Sequence, residues 1–368
     1  MKKEEPTNKT KLFDFHAVYG ARFIEFADYL VPLAYGTGTI KESIVSRQSA
    51  SVFDVSHMGQ MLITGDNASS ELDKLVPSNI NSLELNKSCY SVLLNQDGGI
   101  IDDLIITKKI NGLSLVVNAA QKAQVIDIFN EKLSSKVICK VLDNNSLISI
   151  QGPKSNEVLE KYFKEINKIK FMRGCESELD GVNVYISRSG YTGEDGFEIS
   201  IPNNKVENFM ESLIDNSTVN LAGFGARDVL RIEAGLCLYG QDINTNISPI
   251  EAGLGWVISK KKLNDLSFIG STVLKNQIKS GPKMRRIGIA LNDKVIPRNG
   301  SNIFNLKNKK VGFVTSGCFS PNLSRSICMG FISSSEALDQ EIFLVEVRNK
   351  MFDGKIVKMP FIPHKYKK

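Results

Sequence analysis

The stretch CYSVLLNQDGGIIDDLIIT, residues Cys89–Thr107, places two runs of β-favouring residues on either side of the turn-forming residues NQDGG. This composition predicts a strand, a turn and a return strand. Asp102 and Asp103 then lie at the beginning of the return strand. Because successive side chains of a strand point to opposite faces of a sheet, only one of these two carboxylates can face a given cavity.

Further along the chain, a second strand pair is predicted over Val182–Ser187 and Gly196–Ile201, joined by the glycine-rich loop Arg188–Asp195. Two helices are predicted next, Lys205–Ile214 and Ala226–Gly235, and the second ends at a glycine in the usual stop position. Helix-like and strand-like segments alternate here without a repeat period, which favours a mixed α/β body.

The sequence changes character after Gly281-Pro282, where short β-rich runs are separated by turn residues. These runs are Arg286–Leu291, Lys310–Thr315, Cys328–Ile332 and Ile342–Val347. They predict an all-β C-terminal domain. We therefore divide the chain into a short solvated leader at residues 1–11, a body at residues 12–276 and a C-terminal domain at residues 277–368.

The composition is that of an ordinary globular protein, with 368 residues, 42% of them hydrophobic and 23% charged. No apolar run reaches the roughly 18 residues of a membrane-spanning helix, so we expect no membrane association. The six cysteines form no CxxC pair and the three histidines are far apart, so we expect neither a metal site nor disulfides. The N-terminus lacks a transit-peptide pattern. We expect the cytoplasm, although a processed mitochondrial protein would look the same.

The charge is strongly polarised along the chain. Residues 260–368 contain 21 Lys and Arg against 7 Asp and Glu, a net charge of +14, whereas the whole chain carries only +6. The basic clusters lack interleaved aromatic residues, so we expect no nucleic-acid binding. An acidic partner is the favoured interpretation, and a basic surface that only keeps the domain in solution is the alternative.

Four segments combine residue types that neither turns nor packing require together. They are Phe53–Gln60 (FDVSHMGQ), Gly98–Leu104 (GGIIDDL), Gly190–Glu198 (GYTGEDGFE) and Gly225–Leu236 (GARDVLRIEAGL). In order and spacing they resemble the signature segments of the T-proteins of the glycine cleavage system. Later runs, Thr315–Gly317, Val345–Arg348 and Lys358–Pro363, continue the resemblance, which covers the chain from about Leu12 to Tyr366.

This resemblance implies an α+β multidomain fold of cloverleaf shape, in which three parts surround a folate site and the C-terminal part is a β-barrel or jelly roll. It implies an aminomethyltransferase that uses tetrahydrofolate as co-substrate, receives the one-carbon unit from the lipoylated H-protein and needs no metal. The products would be 5,10-methylenetetrahydrofolate, ammonia and dihydrolipoyl H-protein. We expect a monomer or a weak oligomer.

Asp103 matches the catalytic aspartate of the family. Positive charge develops on the one-carbon unit as an amine leaves, and a preoriented carboxylate would stabilise it. From the residues alone, a turn-capping or solvated aspartate is the expected alternative. The resemblance reverses that preference for Asp103 and leaves Asp102 as the structural member of the pair.

Two further charged residues match folate contacts of the family. Glu198 would accept two hydrogen bonds from the N–H and amino group of a pterin, whereas an exposed strand residue is the alternative. Arg227 lies in the first turn of a predicted helix, where the helix dipole disfavours a cation, so an anion or a carbonyl would explain it. The alternative for Arg227 is a surface ion pair with Asp228 or Glu233.

The other expected contacts are aromatic, apolar or amide side chains. By resemblance, Tyr366 would bring the chain end over the cavity, against the alternative of a frayed tail. The remaining cavity walls would be Met58, Tyr90, Asn118, Tyr191 and Trp256. Core packing is the favoured interpretation of Met58 and Trp256 from the residues alone. We expect His57 to be a hydrogen-bonded structural histidine.

Two other functions stay open. The same scaffold could serve a folate-dependent demethylase of a methylated small molecule, such as dimethylsulfoniopropionate or a methylated glycine. A non-catalytic folate-binding regulator would be expected to carry a cysteine-bearing motif in place of the Arg227 segment, and Cys237 lies nearby.

Overall fold

The hairpin predicted around NQDGG forms one edge of a five-stranded antiparallel sheet in the computed structural model, which describes residues 8–339 and 341–368. Asp103 on the return strand lies opposite Val92 on the first strand. Gly98 adopts a positive φ of 77° in the turn, a conformation that glycine reaches without strain. In spatial order the strands are Ser88–Leu94, Ile100–Lys109, Gly112–Val117, Gly59–Gly65 and Val137–Val141.

A six-stranded sheet contains the second predicted strand pair, which the structure confirms. All of its pairings are antiparallel except that of the last two strands. In spatial order the strands are Arg173–Leu179, Val182–Arg188, Gly196–Pro202, Asn145–Gln151, Ala50–Asp54 and Val219–Leu221. Phe209 and Met210 of a covering helix are buried in its core with Phe197 of the sheet. This burial of apolar area is what holds the helix on the sheet.

The N-terminal segment is partly built into the fold, contrary to the solvated leader that we expected. Asn8–Lys9 forms a short strand that pairs with Tyr29–Ala34, which also pairs with Arg22–Phe26. Thr10 is buried, and its hydroxyl donates a 2.7 Å hydrogen bond to Asp54. The leader prediction is therefore wrong for residues 8–10, and residues 1–7 of it lie outside the described residues.

The helices connect and cover these sheets. Both predicted helices are present, as Asn203–Ile214 and Phe224–Glu233, and Gly235 after the second has a positive φ of 68°. The other α-helices are Phe13–Val18, Gly38–Gln48, Ala68–Leu75, Lys122–Lys132, Ser155–Leu159, Lys260–Asp265, Ser271–Ser280 and Glu336–Asp339. Short 3-10 helices occur at Ala119–Gln121, Ile166–Lys168 and Gly255–Val257.

The C-terminal part is a closed six-stranded barrel, which confirms the predicted β domain. Around the barrel the strands are Met284–Leu291, Arg325–Ser333, Lys310–Ser320, Asn302–Phe304, Ile342–Val347 and Lys350–Val357. Its interior is filled by apolar side chains such as Ile289, Val314 and Phe343. The domain boundary that we placed before residue 277 stays a prediction, and that position lies within the helix Ser271–Ser280.

The helix Phe224–Glu233 joins the barrel to the rest of the molecule. Its side chains Val229 and Ile232 form a buried cluster with Ile327 and Met329 of the barrel. The two sheets and the barrel thereby surround a central cavity, as the cloverleaf resemblance implied. Among the described residues, no helix combines the length and the apolar character needed to cross a bilayer.

Candidate active site

The central cavity has a volume of about 850 Å³. This is within the range of pockets that bind small molecules and cofactors. All nine residues singled out in the sequence contribute to its wall. They are Met58, Tyr90, Asp103, Asn118, Tyr191, Glu198, Arg227, Trp256 and Tyr366.

Asp103 faces the cavity, whereas Asp102 is fully buried behind it, so the structure confirms that only one of the pair can look inward. Asn118 follows the neighbouring strand and holds both groups. Its side-chain nitrogen Nδ2 lies 2.8 Å from Asp102 Oδ1, 2.8 Å from Asp103 Oδ1 and 3.1 Å from the Asp103 carbonyl oxygen. The Asp103 carboxylate is therefore oriented before any ligand binds.

Burial raises the pKa of both carboxyl groups, because an ionised carboxylate loses water that the protein replaces only in part. The Asn118 amide opposes this rise at both positions, and the Tyr90 hydroxyl does so at Asp103. A carboxyl group with a raised pKa is suited to hold or release a proton near neutral pH.

Glu198 lies on the strand Gly196–Pro202 and contributes to the cavity wall. Its Oε2 accepts a 2.7 Å hydrogen bond from the Ser189 hydroxyl, which holds the carboxylate in place. Its other oxygen makes no hydrogen bond within the described part of the chain. Glu198 is half-buried in the cavity wall, so its alternative as an exposed strand residue is wrong.

Arg227 projects from the first turns of the helix Phe224–Glu233. Its guanidinium lies over the ring of Tyr191, with the central carbon 4.8 Å from the ring centre. Burial lowers the pKa of Arg227, although the nearby Glu198 carboxylate opposes this, and Nη1 has no hydrogen-bond partner among the described residues. The surface ion pair that was the alternative does not form, because Asp228 pairs with Arg231 and Glu233 pairs with Arg47.

Tyr366 is fixed by a docked chain end, so the frayed-tail alternative is wrong. Its ring stacks on Phe171, with centroids 3.9 Å apart and an interplanar angle of 6°. The backbone N–H of Lys365 donates to the Gly193 carbonyl oxygen at 2.8 Å. The backbone N–H of Ile362 donates to the Glu233 carbonyl oxygen at 2.9 Å. Burial raises the pKa of Tyr366 to about 12, so its phenol stays protonated at neutral pH.

The remaining wall residues differ in burial. Trp256 is 69% exposed at the cavity wall, with its ring 5.5 Å from that of Tyr90, so core packing is wrong for it. Met58 packs against a small apolar cluster and also lines the cavity, which is compatible with both interpretations. The Tyr191 hydroxyl donates to the Cys237 carbonyl oxygen.

His57 is hydrogen-bonded less completely than we expected. It is 4% exposed and lies in the cavity wall, and its Nδ1 has no hydrogen-bond partner in the described part of the structure. Burial, with the nearby Arg227 charge, lowers the pKa of His57 to about 4, although Asp54 opposes this. His57 is therefore neutral at physiological pH.

Two contributors were missed in the sequence. Ser189 orients Glu198, and Phe171 stacks against the Tyr366 ring. Ser189 belongs to the glycine-rich loop that we noted, but nothing in a serine within a loop indicates its partner. Phe171 is distant in sequence from Tyr366, and no periodicity links them.

Two family models match the chain. One is described as the GCVT N-terminal domain and matches residues 12–262. The other is described as the glycine cleavage T-protein C-terminal barrel domain and matches residues 285–363.

Curated proteins and a solved structure resemble the chain over nearly its full length. The mitochondrial aminomethyltransferase of Mesembryanthemum crystallinum is 38% identical, with 99% of this chain and 92% of the relative covered. The probable mitochondrial aminomethyltransferase of Schizosaccharomyces pombe is also 38% identical, with 98% and 94% covered. A crystal structure of the glycine cleavage system aminomethyltransferase T from Bartonella henselae matches with a TM-score of 0.92 and 33% identity, covering 98% of this chain and 99% of that one.

Proposed function

The chain belongs to the glycine cleavage T-protein family of aminomethyltransferases, and we propose that its central cavity binds tetrahydrofolate and receives the aminomethyl-lipoyl arm of an H-protein. The methylene carbon of the aminomethyl group becomes bonded to N5 and N10 of the folate. Ammonia and the dihydrolipoyl H-protein are released. The observation that carries this proposal is the location of Asp103, Glu198 and Arg227 in the wall of one cavity of about 850 Å³.

The polar groups of the cavity fit a reduced folate. The free oxygen of Glu198, together with the oxygen that Ser189 orients, can accept a pair of hydrogen bonds from the pterin N–H and amino group. Arg227 offers a guanidinium nitrogen, Nη1, that has no hydrogen-bond partner in the described part of the chain and can donate to a carbonyl or carboxylate of the ligand. The Tyr191 and Tyr366 rings supply flat apolar surface for an aromatic ligand.

Asp103 is the group suited to the chemistry. A carboxylate beside the one-carbon unit stabilises the positive charge that develops as the amine leaves, and its orientation by Asn118 avoids reorganisation during the reaction. Glu198 and Arg227 would hold the folate so that its N5 faces Asp103.

The proposal is tested by mixing the purified protein with tetrahydrofolate and aminomethylated H-protein and measuring 5,10-methylenetetrahydrofolate. We expect product with the wild type and a loss of at least about 10²-fold in rate with Asp103→Ala. The matched control is Asp97→Ala, because Asp97 is an exposed aspartate in the turn of the same hairpin. Absence of product with the wild-type protein would contradict the proposal.

The two alternatives are distinguished by different experiments. A demethylase would produce a one-carbon folate from a methylated small molecule without H-protein, so each donor is assayed alone. A non-catalytic folate-binding regulator controlled through an oxidised cysteine would need an accessible, reactive cysteine. Cys237 is buried, and burial raises the pKa of its thiol to about 12, so little of it is in the reactive thiolate form at neutral pH. We therefore favour the transferase.

The relatives named above are mitochondrial proteins by name. We propose an aqueous compartment that contains H-protein and reduced folate, in which this chain acts as a monomer or a weak oligomer.

A further inference from the structure

Asp102 is a buried carboxyl group to which the family resemblance gave only a structural role. It is completely inaccessible to solvent, and it adjoins Asp103 in sequence. One oxygen of each carboxyl group lies 2.8 Å from the same nitrogen, Asn118 Nδ2. The two oxygens are therefore separated by at most twice that distance, inside the protein.

Within the described residues, no cation forms an ion pair with Asp102 or Asp103. The titratable groups that face the pair from neighbouring segments are Tyr90, Tyr191, Cys237 and Tyr239. Burial raises the pKa of all four, so they are neutral at physiological pH. Two adjacent buried carboxylates without a cation are strongly unfavourable, because each charge repels the other in a poorly solvating environment.

We propose that Asp102 and Asp103 share one proton near neutral pH and that this proton passes to the departing amine nitrogen during the one-carbon transfer. The second part rests on the function proposed above. Paired carboxyl groups of this kind lose their two protons in coupled steps that belong to the pair rather than to either residue. The Asn118 side-chain amide donates to one oxygen of each carboxyl group and so holds the two groups in a fixed arrangement.

The step balances in charge and in protons. When the bond between the one-carbon unit and its neutral amine breaks, the bonding electrons stay on nitrogen, which takes the proton from the carboxyl pair. Ammonia leaves, the one-carbon unit becomes positively charged and the pair becomes doubly negative. The new positive charge lies beside the pair, which is the arrangement that makes the second ionisation favourable. Asp102 does not touch the substrate and acts as a positioning residue that sets how tightly the pair holds its proton.

The shared proton is tested by carbon-13 NMR of the unliganded protein labelled at aspartate carboxyl carbons, titrated from about pH 5 to about pH 9. Loss of signals in Asp102→Asn and Asp103→Asn assigns the two resonances. We expect both resonances of the wild type to move in the same two steps. In Asp102→Asn, the Asp103 resonance should move in one step, at least about one pH unit below the upper step of the wild type. The control Asp97→Asn should leave both resonances unchanged.

If Asp102→Asn does not fold, the reciprocal titration of Asp102 in Asp103→Asn decides the matter by the same criterion. If each carboxyl resonance instead moves in a single step, at a pH that does not change when the neighbouring aspartate is replaced, the shared proton is overturned.

The transfer assay tests the catalytic part. We expect Asp102→Asn to lower kcat by about 10²-fold while the KM for tetrahydrofolate changes by less than about twofold. An unchanged kcat in a wild type that does transfer would overturn the proton donation. A wild type that transfers nothing would instead contradict the proposed function, while the titration would still report on the pair.

Discussion

At the scale of single residues, the site is determined by hydrogen bonds between side chains that are distant in sequence. The family resemblance implied that Asp103, Asn118 and Glu198 line one cavity. The sequence could not reveal that Asn118 bridges two carboxyl groups or that Ser189 orients Glu198. Such contacts depend on side-chain directions that only the assembled sheets define, so the composition of the site was predictable and its hydrogen bonding was not.

Two arginines on one helix give opposite predictions. Arg227 forms no ion pair within the described residues, although the Glu198 carboxylate lies near it, whereas Arg231 is fully buried and pairs with Asp228 and Asp242. Arg231→Gln leaves the buried Asp242 uncompensated, so we expect a loss of about 3–5 kcal/mol in the free energy of unfolding. Arg227→Gln should change it by less than about 1 kcal/mol and weaken folate binding by at least about tenfold. Urea unfolding and calorimetric titration measure both, and equal destabilisation by the two substitutions would contradict this assignment.

His57 makes stability depend on pH in a defined direction. Its pKa in the folded protein, about 4, lies below its ordinary value of 6.5, so the folded state resists protonation. The stability contribution is complete above pH 6.5 and falls as the pH decreases towards 4.

We expect His57 to account for a loss of roughly 2 kcal/mol between about pH 7 and about pH 5. His57→Gln should remove that part of the pH dependence, as measured by urea unfolding at both pH values. The same slope in the wild type and the variant would show that His57 titrates normally in the folded protein.

At the scale of elements, local patterns were reliable where the partner was near in sequence. The hairpin around NQDGG, the helix that stops before Gly235 and four of the six barrel strands were predicted from alternation, turn residues and glycine stops. The strand Asn8–Lys9 was missed because it is only two residues long and its partner begins at Tyr29. A segment that short carries no periodicity, and only its tertiary pairing makes it a strand.

The docked chain end brings Tyr366 to the cavity, so a substitution there should affect folate binding. Tyr366 contributes to the cavity wall and stacks on Phe171, and the backbone hydrogen bonds of the tail do not need its side chain. Tyr366→Ala should therefore weaken folate binding by about 3- to 10-fold, because a contact between the Tyr366 ring and an aromatic ring of the folate is worth about 0.5–1.5 kcal/mol. The overall fold should persist. Lys368→Ala, at an exposed position of the same tail, is the matched control for a binding titration.

If the tail only covers the surface, the protein should bind folate equally well with either substitution. Equal affinities of Tyr366→Ala, Lys368→Ala and the wild type would thus remove Tyr366 from the site.

At the scale of the whole molecule, the sequence revealed the uneven distribution of charge but not which anionic partner binds the basic region. The C-terminal region of residues 260–368 carries a net charge of +14, and most of it forms the barrel. We expect this surface to attract an acidic H-protein or the polyglutamate tail of a folate. The affinity should fall clearly between low and physiological ionic strength, because salt screens exposed charges beyond about 8–10 Å.

Titrations at several salt concentrations, with H-protein and with mono- and polyglutamylated folates, measure this dependence and show which anion is responsible. Reversing the charges of Lys309 and Lys310, which lie in the barrel region, should reduce the salt dependence. An affinity that does not change with salt for either ligand would leave the basic surface without a role in docking.

In the proposed complex, the reacting nitrogen of a bound folate lies beside the carboxyl group of Asp103. A crystal structure of the protein with 5-methyltetrahydrofolate locates that nitrogen. We predict the pterin amino group at Glu198 and N5 on the side of the cavity that Asp103 occupies. A folate bound outside the cavity, or bound within it with N5 turned away from Asp103, would contradict the proposed role of Asp103.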